Sequence, residues 1–199
     1  MVRNMETLAR KKISLRKEFK QKLKSLAMEQ KRFLDHTVFK NLVSMPEFQR
    51  ASCFYGYMAL SWETGTSEII EYLLEKNIPV ALPRVLGDDM EFFQINSMSD
   101  LQEGAFHILE PKESCKMVRW PDACMLIPGL AFSLSGKRLG KGGGYYDKFL
   151  NREPGHDTIA LAYEFQICGD IPSEEHDRSV DYLVTEENIY KSNTCESEE

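Results

Sequence analysis

The stretch that decides the fold is the apolar run Ala123-Cys124-Met125-Leu126-Ile127-Pro128-Gly129. A continuous apolar run that ends in Pro-Gly is typical of a central strand in a parallel sheet, buried on both faces and entering a loop. Other strand-like segments lie before and after it, separated by helical segments. Strands that alternate with helices predict a three-layer α/β protein, in which a mostly parallel sheet carries helices on both faces.

The remaining elements are short and follow the hydrophobic periodicity of the chain. Further strands are predicted at residues 53–58, 78–83, 90–95, 158–163 and 182–184, and helices at residues 5–29, 28–43, 66–76 and from 145 onward. Pro79 and Pro83 place their strand at an edge or a strand end, and Thr66 is expected to cap the helix that follows it. We expect one domain over residues 1–190 with an N-terminal helical segment, and a polar tail over 191–199.

Composition and charge exclude several classes of protein. A net charge of -6 gives no overall basic field that would attract nucleic acid. No segment is long enough to span a bilayer, and no apolar signal stretch occupies the charged N-terminus. The five cysteines form no Cys-x-x-Cys pair, which suits a reducing compartment better than a disulfide framework. We expect a cytoplasmic monomer that acts on small molecules, with no nucleic-acid or membrane partner.

The strongest chemical signal is the run Arg138-Leu139-Gly140-Lys141-Gly142-Gly143-Gly144-Tyr145-Tyr146-Asp147. Consecutive glycines are costly in a regular element, but they suit a loop whose N–H groups surround a phosphate chain. The helix that follows adds unpaired N–H donors, and Arg138 and Lys141 add full charges. Asp147, in the first helical turn, can hold Mg2+. The spacing fits neither a Walker A loop nor a dinucleotide fingerprint, so an ordinary glycine-rich turn with a basic rim remains an equal alternative.

Further motifs occur in consistent order between about residues 12 and 186. They are Lys12-Ile13-Ser14-Leu15-Arg16, Glu63-Thr64-Gly65-Thr66, Leu82-Pro83-Arg84, Glu110-Pro111, Leu126-Ile127-Pro128-Gly129-Leu130-Ala131-Phe132, Gly136, the glycine run, Gln166, Ile171-Pro172, His176-Asp177 and Asp181. Taken together they resemble the 5-formyltetrahydrofolate cyclo-ligase family, also called 5,10-methenyltetrahydrofolate synthetases. The block from Arg-Leu-Gly to Tyr-Tyr-Asp is the most specific part of the resemblance.

The resemblance implies an architecture shared with sugar-phosphate isomerases and CoA transferases, and an ATP- and Mg2+-dependent ligase. Such an enzyme closes 5-formyltetrahydrofolate to 5,10-methenyltetrahydrofolate and releases ADP and phosphate. ATP phosphorylates the formyl oxygen, and N10 of the folate then attacks the activated carbon. The reaction needs charge neutralisation around the transferring phosphoryl group more than a nucleophile from the protein.

The resemblance also implies roles for individual residues. ATP binding is implied for Lys12, Arg16, Arg138, Leu139, Gly140, Lys141, Gly142, Gly143, Gly144, Tyr145 and Tyr146. Within this set Arg138, Lys141 and Tyr146 are the expected catalytic residues, and Asp147 and Asp177 the expected metal ligands. For the folate, Glu63 is expected to hydrogen-bond the pterin, while Met58, Phe106 and Tyr146 form the apolar walls.

Each of these residues has an alternative interpretation when it is taken alone. Lys12 and Arg16 are also what a solvated amphipathic helix carries, and Met58 and Phe106 are also ordinary core residues. Two positions depart from the family pattern: Gly65 and Ser133 stand where relatives usually have acids. Asp177 can pair with its neighbour Arg178, and Glu63 can sit at a helix start for its dipole.

Two rival functions remain open at this point. One is a sugar-phosphate isomerase or transferase that uses the same scaffold without ATP, although no positioned acid/base motif for it is evident. The other is a nucleotide- or folate-binding module without turnover, which would be stabilised by its ligand but would form no product.

Overall fold

The computed structural model describes the backbone of residues 2–104 and 108–192, and the side chains from residue 7 onward within those ranges. Its helices there are α1 (Val2–Lys24), α2 (Met28–Ser44), α3 (Pro46–Arg50), α4 (Ser67–Glu75) and α5 (Tyr145–Arg152). Its strands there are β1 (Phe54–Tyr55), β2 (Val80–Leu86), β3 (Asp89–Ile95), β4 (Leu101–Glu103), β5 (Leu109–Pro111), β6 (Cys124–Ile127), β7 (Ala131–Phe132), β8 (Arg138–Leu139), β9 (Thr158–Leu161), β10 (Tyr182–Val184) and β11 (Ile189–Lys191).

The main sheet has seven strands in the order β11-β10-β9-β6-β1-β2-β3. The five inner strands, from β10 to β2, pair in parallel, and the two edge strands β11 and β3 pair antiparallel to their neighbours. The predicted central strand is β6, which pairs with both β1 and β9 and is buried along its whole length. The mostly parallel α/β sheet is therefore confirmed.

Helices cover both faces of this sheet. Alternate side chains of β1 point to opposite faces, so Phe54 joins one buried cluster and Tyr55 the other. The first cluster contains buried residues of α1 to α4, such as Phe19 and Leu42. The second contains Phe149 of α5. The three-layer arrangement predicted from the alternation of elements is confirmed.

The N-terminal helical segment divides earlier than its periodicity predicts. The first helix is predicted to run to residue 29, but α1 ends at Lys24 and α2 begins at Met28. The hydroxyl of Ser25 donates to the carbonyl of Lys22, and Ala27 has extended backbone angles. A serine hydroxyl competes for backbone carbonyls near a helix end. The helix therefore breaks at a position where the spacing of the apolar residues alone predicts no break.

Two local predictions around the sheet are wrong. The strand that contains Pro83 is not an edge strand, because β2 lies between β1 and β3. The proline is tolerated because β1 pairs only with Val80 and Ala81, which leaves that side of β2 without a partner at Pro83. Thr66 stands at the N-cap position of α4 but does not cap it. Its Oγ1 accepts the N–H of Ala59 at 3.0 Å instead of a helix N–H, and its hydroxyl donates to the carbonyl of Tyr57 at 2.6 Å.

The chain termini add little to this picture. Lys191, the first residue of the expected tail, is the last residue of β11, and residues 193–199 lie outside the described part of the chain. Among the described helices, none combines the length and the apolar character needed to cross a membrane.

Candidate active site

The candidate site lies where the central parallel strands end. Strands β1, β6 and β9 run in parallel, so the segments that leave their carboxyl ends emerge at one edge of the sheet. Open α/β sheets bind their ligands at this edge. Residues 56–66, 128–144 and 162–166 follow the three strands and contain most of the residues implicated by sequence.

The glycine run forms a loop between a strand and a helix, as predicted. We call residues 140–144 the glycine loop; it joins β8 to α5. Gly142 has φ 110° and Gly144, at the N-cap of α5, has φ 68°. Both values favour glycine, since other residues rarely adopt them. The unpaired N–H groups of the first turn of α5 therefore lie next to the loop, in the arrangement that suits an anion.

Arg138 is buried at the base of the glycine loop. Its side chain is only 5% exposed, and it donates to Asp147 Oδ1 at 2.7 Å and to the carbonyl of Pro128 at 3.2 Å. Asp147 Oδ1 also accepts the backbone N–H of Arg178 at 3.0 Å. Among the described residues, Arg138 Nε has no hydrogen-bond partner although it is buried. A buried donor left unpaired is costly, and the bonds of the terminal nitrogens to Asp147 and Pro128 hold the guanidinium in place despite it.

Helix α1 brings two more cations to the site. Lys12 Nζ lies 2.8 Å from Glu174 Oε2 and 2.6 Å from Asp177 Oδ2, with Lys12 only 7% exposed. One turn later, Arg16 Nε donates to the carbonyl of Gly140 at 3.0 Å. Because residues four apart share a helix face, α1 contacts both the glycine loop and the segment around residues 174–177.

The ion pair of Lys12 with Asp177 favours the charged form of both groups. Burial alone would lower the pKa of Lys12, but the hydrogen bonds and charges of Asp177 and Glu174 outweigh it and raise that pKa. Burial would likewise raise the pKa of Asp177, but the hydrogen bonds from Lys12 and the Glu174 N–H lower it. Each partner thus stabilises the charged form of the other.

The glycine loop also contacts the residue expected to bind the pterin. Lys141 Nζ lies 2.7 Å from Glu63 Oε1; the Glu63 side chain is 6% exposed and that of Lys141 is 39% exposed. Glu63 Oε2 accepts the N–H of Leu60 at 2.9 Å. Near them, burial and the charge of Glu63 raise the pKa of Tyr146, so its hydroxyl stays protonated at neutral pH.

The other residues expected at the folate pocket have simpler surroundings. Met58 is buried within the first core cluster, so packing alone accounts for its position. Phe106 lies outside the described residues. The guanidinium of Arg138 lies 6.0 Å from the ring centroid of Tyr146, a distance compatible with a cation–π contact. The structure therefore brings Glu63 and Tyr146 to the glycine loop, and places Met58 beneath them in the core.

The expected metal ligands lie in different surroundings. Asp177 belongs to a group with Glu174 and His176, whose ligand atoms all lie within 4.8 Å of one another. Carboxylate oxygens are the donors that Mg2+ prefers, whereas an imidazole suits transition metals better. Asp147 is not in this group, and its Oδ1 is held by Arg138. Both predicted ligands are paired with a cation, Asp147 with Arg138 and Asp177 with Lys12. Asp177 differs in having a second carboxylate, that of Glu174, beside it.

Sequence reasoning missed Glu174, which shares Lys12 with Asp177. It also assigned no role to Gln166 beyond a motif match. Gln166 Nε2 donates to the carbonyls of Gly129 and Leu130, and its Oε1 accepts the N–H of Tyr163. Neither role leaves a local pattern, because each depends on partners far away in the chain.

The arrangement of loop, cations and carboxylates can now be compared with known proteins. The sequence profile of the 5-formyltetrahydrofolate cyclo-ligase family matches residues 8–186. The chain belongs to this family. A 5-formyltetrahydrofolate cyclo-ligase of Mus musculus is 28% identical over 191 residues, which cover 88% of this chain and 94% of the mouse protein. One of Escherichia coli K12 is 25% identical over 180 residues, which cover 86% of this chain and 98% of the Escherichia coli protein.

Solved structures agree with this family assignment. The NMR structure of Aquifex aeolicus 5,10-methenyltetrahydrofolate synthetase superposes with a TM-score of 0.82 at 35% identity, covering 94% of this chain and 96% of that one. The Mycoplasma pneumoniae 5,10-methenyltetrahydrofolate synthetase superposes with a TM-score of 0.69 at 25% identity, covering 88% of this chain and 98% of that one. The cyclo-ligase resemblance, the α/β fold and the assignment to an enzyme of the ligase class are therefore confirmed.

Proposed function

We propose that this protein converts 5-formyltetrahydrofolate to 5,10-methenyltetrahydrofolate in an ATP- and Mg2+-dependent reaction that releases ADP and phosphate. Family membership supports the choice of reaction. The observation that carries the site assignment is the contact of the glycine loop with Arg16, whose Nε donates to the Gly140 carbonyl. Arg138 precedes the loop, Lys141 lies within it, and Lys12 lies one turn before Arg16 on α1. A cytoplasmic location stays a prediction from the scattered cysteines.

The phosphates of ATP are best accommodated by the N–H groups of the glycine loop and of the first turn of α5. Arg138 supplies charge at the base of the loop, and the guanidinium carbon of Arg16 lies 3.7 Å from where a side chain on Gly142 would begin. Lys12 and Lys141 add charge on either side. Positioned cations of this kind stabilise the charge that spreads over a phosphoryl group during transfer.

The chemistry proposed for this site proceeds in two steps. The formyl oxygen attacks the γ-phosphorus of ATP, and the bond to the bridging oxygen breaks to release ADP. The lone pair of N10 then attacks the activated formyl carbon, N10 loses its proton, and the C–O bond breaks to release phosphate. Both nucleophiles belong to the substrates, so the protein binds, orients and neutralises charge. Tyr146 stays protonated and can donate a hydrogen bond but not remove a proton.

For the metal, the chemical fit rests on the carboxylates of Glu174 and Asp177, which are oxygen donors within one cluster. Asp147 is a further candidate in the first turn of α5. Bound Mg2+ would supply positive charge shared between phosphate oxygens. The protein's own part is to keep Asp177 ionised: burial would raise the pKa of Asp177, but the hydrogen bonds from Lys12 and the Glu174 N–H lower it.

For the folate, Glu63 is the proposed recognition residue. Its carboxylate is buried, and a buried carboxylate needs hydrogen-bond or ion-pair partners. In this structure the partners are the ammonium of Lys141 and the N–H of Leu60. A pterin carries N–H donors on one edge, and these can replace the ammonium of Lys141. Tyr146 and Met58 supply apolar surface near it, which suits a flat heterocycle.

One assay tests the proposal directly. Purified protein is mixed with 5-formyltetrahydrofolate, Mg2+ and ATP, and the near-ultraviolet absorbance of the methenyl product is followed. We expect a rise that requires ATP, and a Lys12→Met variant with an ATP KM raised about tenfold or more. Lys22→Met is the matched control, since Lys22 is exposed on the same helix and its ammonium contacts only Glu18 and the ring of Phe19 among the described residues.

The outcomes separate the possible functions. Folded protein without an ATP-dependent rise is not a cyclo-ligase. Thermal stabilisation by ATP or folate without product would indicate a binding module instead. Equal ATP kinetics in Lys12→Met and Lys22→Met would remove Lys12 from the nucleotide site.

A further inference from the structure

Asp35 lies outside every motif of the sequence, yet its carboxylate is one of the most heavily bonded in the protein. Oδ1 accepts the hydroxyl of Tyr163 at 2.6 Å and the backbone N–H of Gly65 at 2.7 Å. Oδ2 accepts Lys31 Nζ at 2.6 Å. Hydrogen bonds to an ionised carboxylate are stronger than neutral ones, so this side chain connects α2 firmly to two other segments.

Both of those segments belong to the proposed folate side of the site. Gly65 follows Glu63 by two residues, in the loop that leaves β1. Tyr163 follows β9, and its N–H donates to Gln166, which in turn donates to the carbonyls of Gly129 and Leu130 after β6. Asp35 and Gln166 thus connect the loops that leave three neighbouring parallel strands.

The fit between Asp35 and Gly65 leaves no room for a side chain at position 65. A Cβ on Gly65 would lie 2.7 Å from Asp35 Oδ2 and 2.9 Å from its Cγ. The backbone of the loop therefore approaches the carboxylate as closely as van der Waals contact allows. The position of this loop, and of Glu63 within it, is determined by a group on a different element.

We propose that Asp35 is a positioning residue for folate recognition: it fixes the loop of residues 63–66 and so the carboxylate of Glu63. This role rests on the proposed function, in which Glu63 binds the pterin. Asp35 does not contact the glycine loop in any described bond; its partners are Gly65, Tyr163 and Lys31. Its loss should therefore weaken folate binding and leave ATP binding almost intact.

The decisive variant is Asp35→Asn, which keeps the size and one acceptor oxygen but removes the negative charge that strengthens the bonds from Gly65 and Tyr163. We expect the KM for 5-formyltetrahydrofolate to rise about tenfold, the order of magnitude for a lost charge-assisted hydrogen bond, with the KM for ATP changed less than twofold. Hydrogen exchange of the Gly65 amide in the ligand-free protein should accelerate by a similar factor, since Asp35 is its acceptor.

Two controls separate positioning from general damage. Lys31→Met removes the ion pair on the same carboxylate but leaves the bonds to Gly65 and Tyr163, so folate KM and Gly65 exchange should stay within twofold. Val38→Ala truncates a buried side chain of α2 and destabilises the protein without touching Asp35. It should lower the midpoint of thermal unfolding without separating the two KM values.

Several results would overturn the proposal. One is an unchanged folate KM in Asp35→Asn, whether or not Gly65 exchange accelerates; another is an equal rise in both KM values, as a structural defect would produce. If wild-type protein makes no product, the proposed function fails, and folate affinity by calorimetry replaces KM. If it binds no folate either, unchanged Gly65 exchange in Asp35→Asn refutes the inference, and faster exchange supports the positioning of the loop alone.

Discussion

Replacing Lys141 with methionine removes the cation that neutralises Glu63. Breaking a fully buried pair costs about 3–5 kcal/mol, whereas exposed pairs are worth about 0–1 kcal/mol. Here Glu63 is 6% exposed and Lys141 39%, and Glu63 keeps the Leu60 N–H. We therefore expect Lys141→Met to lower the free energy of unfolding by about 1–2 kcal/mol, between those limits.

The double-mutant cycle with Glu63→Gln isolates this pair. Because Glu63→Gln removes the charge that Lys141→Met leaves unpaired, the double variant should be more stable than the sum of the single effects by about 1 kcal/mol. Urea unfolding followed by circular dichroism measures each value, with the m-value required to stay constant. Lys148→Met is the matched control: Lys148 is on α5 and donates only to the Asp88 carbonyl among its described bonds.

The ion pair of Lys141 with Glu63 should also couple the binding of the two proposed substrates. The ammonium of Lys141 cannot pair with Glu63 and with a phosphate at the same time. A pterin that hydrogen-bonds to Glu63 in place of Lys141 would therefore free Lys141 to bind ATP. We expect ATP to bind more tightly when folate is present, and this gain to disappear in Lys141→Met, since coupling between sites is reciprocal. Additive stabilities in the cycle, within about 0.3 kcal/mol, or coupling unchanged in the variant would refute the reasoning.

Two further predictions follow from other ion pairs at the site. Because the pKa of Asp177 is lowered below its ordinary value near 3.8, its contribution to stability is present above that value and lost as the pH falls through the lowered one. Asp177→Asn should thus unfold more easily than wild type at pH 6 in urea titrations, with the gap closing as the pH falls below 3.8 and through the lowered pKa; a constant gap would contradict this. Arg138→Met leaves the largely buried Asp147 without its cation, and should cost about 3 kcal/mol in urea unfolding. Arg138→Lys keeps the positive charge but lacks the planar guanidinium with its several donors. Relative to Arg138→Met, we expect it to recover the free energy of unfolding more fully than the KM for ATP; equal recovery would show that only the charge matters.

Elements defined by their own residues were predictable from the sequence. The buried run of β6 and the glycine loop each carry their signal locally, as continuous apolar residues and as glycines that must adopt positive φ. Lys12 and Arg16 were placed on one helix face by their spacing alone. What local spacing could not give is their partners: Lys12 pairs with Asp177, 165 residues away, and no pattern in either segment predicts that contact.

The wrong predictions fail for the same physical reason. Pro83 disfavours a central strand only where a neighbour needs its N–H, and β1 is too short to reach it. Thr66 has the chemistry of a helix cap, but its Oγ1 accepts the N–H of Ala59 rather than one from the first turn of α4. Asp35 has the i, i+4 spacing from Lys31 of an ordinary surface pair, and only the fold brings Gly65 and Tyr163 to its other oxygen.

The charges of the site have a consequence for its ligands. Without ligands, Lys12, Arg138 and Lys141 each pair with carboxylates, and Arg16 is bound to a carbonyl. Four carboxylates around these four cations balance their charge: Glu63, Asp147, Glu174 and Asp177. A site that is neutral in sum does not attract a polyphosphate by its overall field, so ATP must separate existing pairs to bind. Each separation frees a carboxylate, and a divalent cation that arrives with the nucleotide can neutralise it. ATP should therefore bind much more weakly without Mg2+ than with it. An affinity for ATP that does not depend on Mg2+ would show that the ion pairs are not separated when ATP binds.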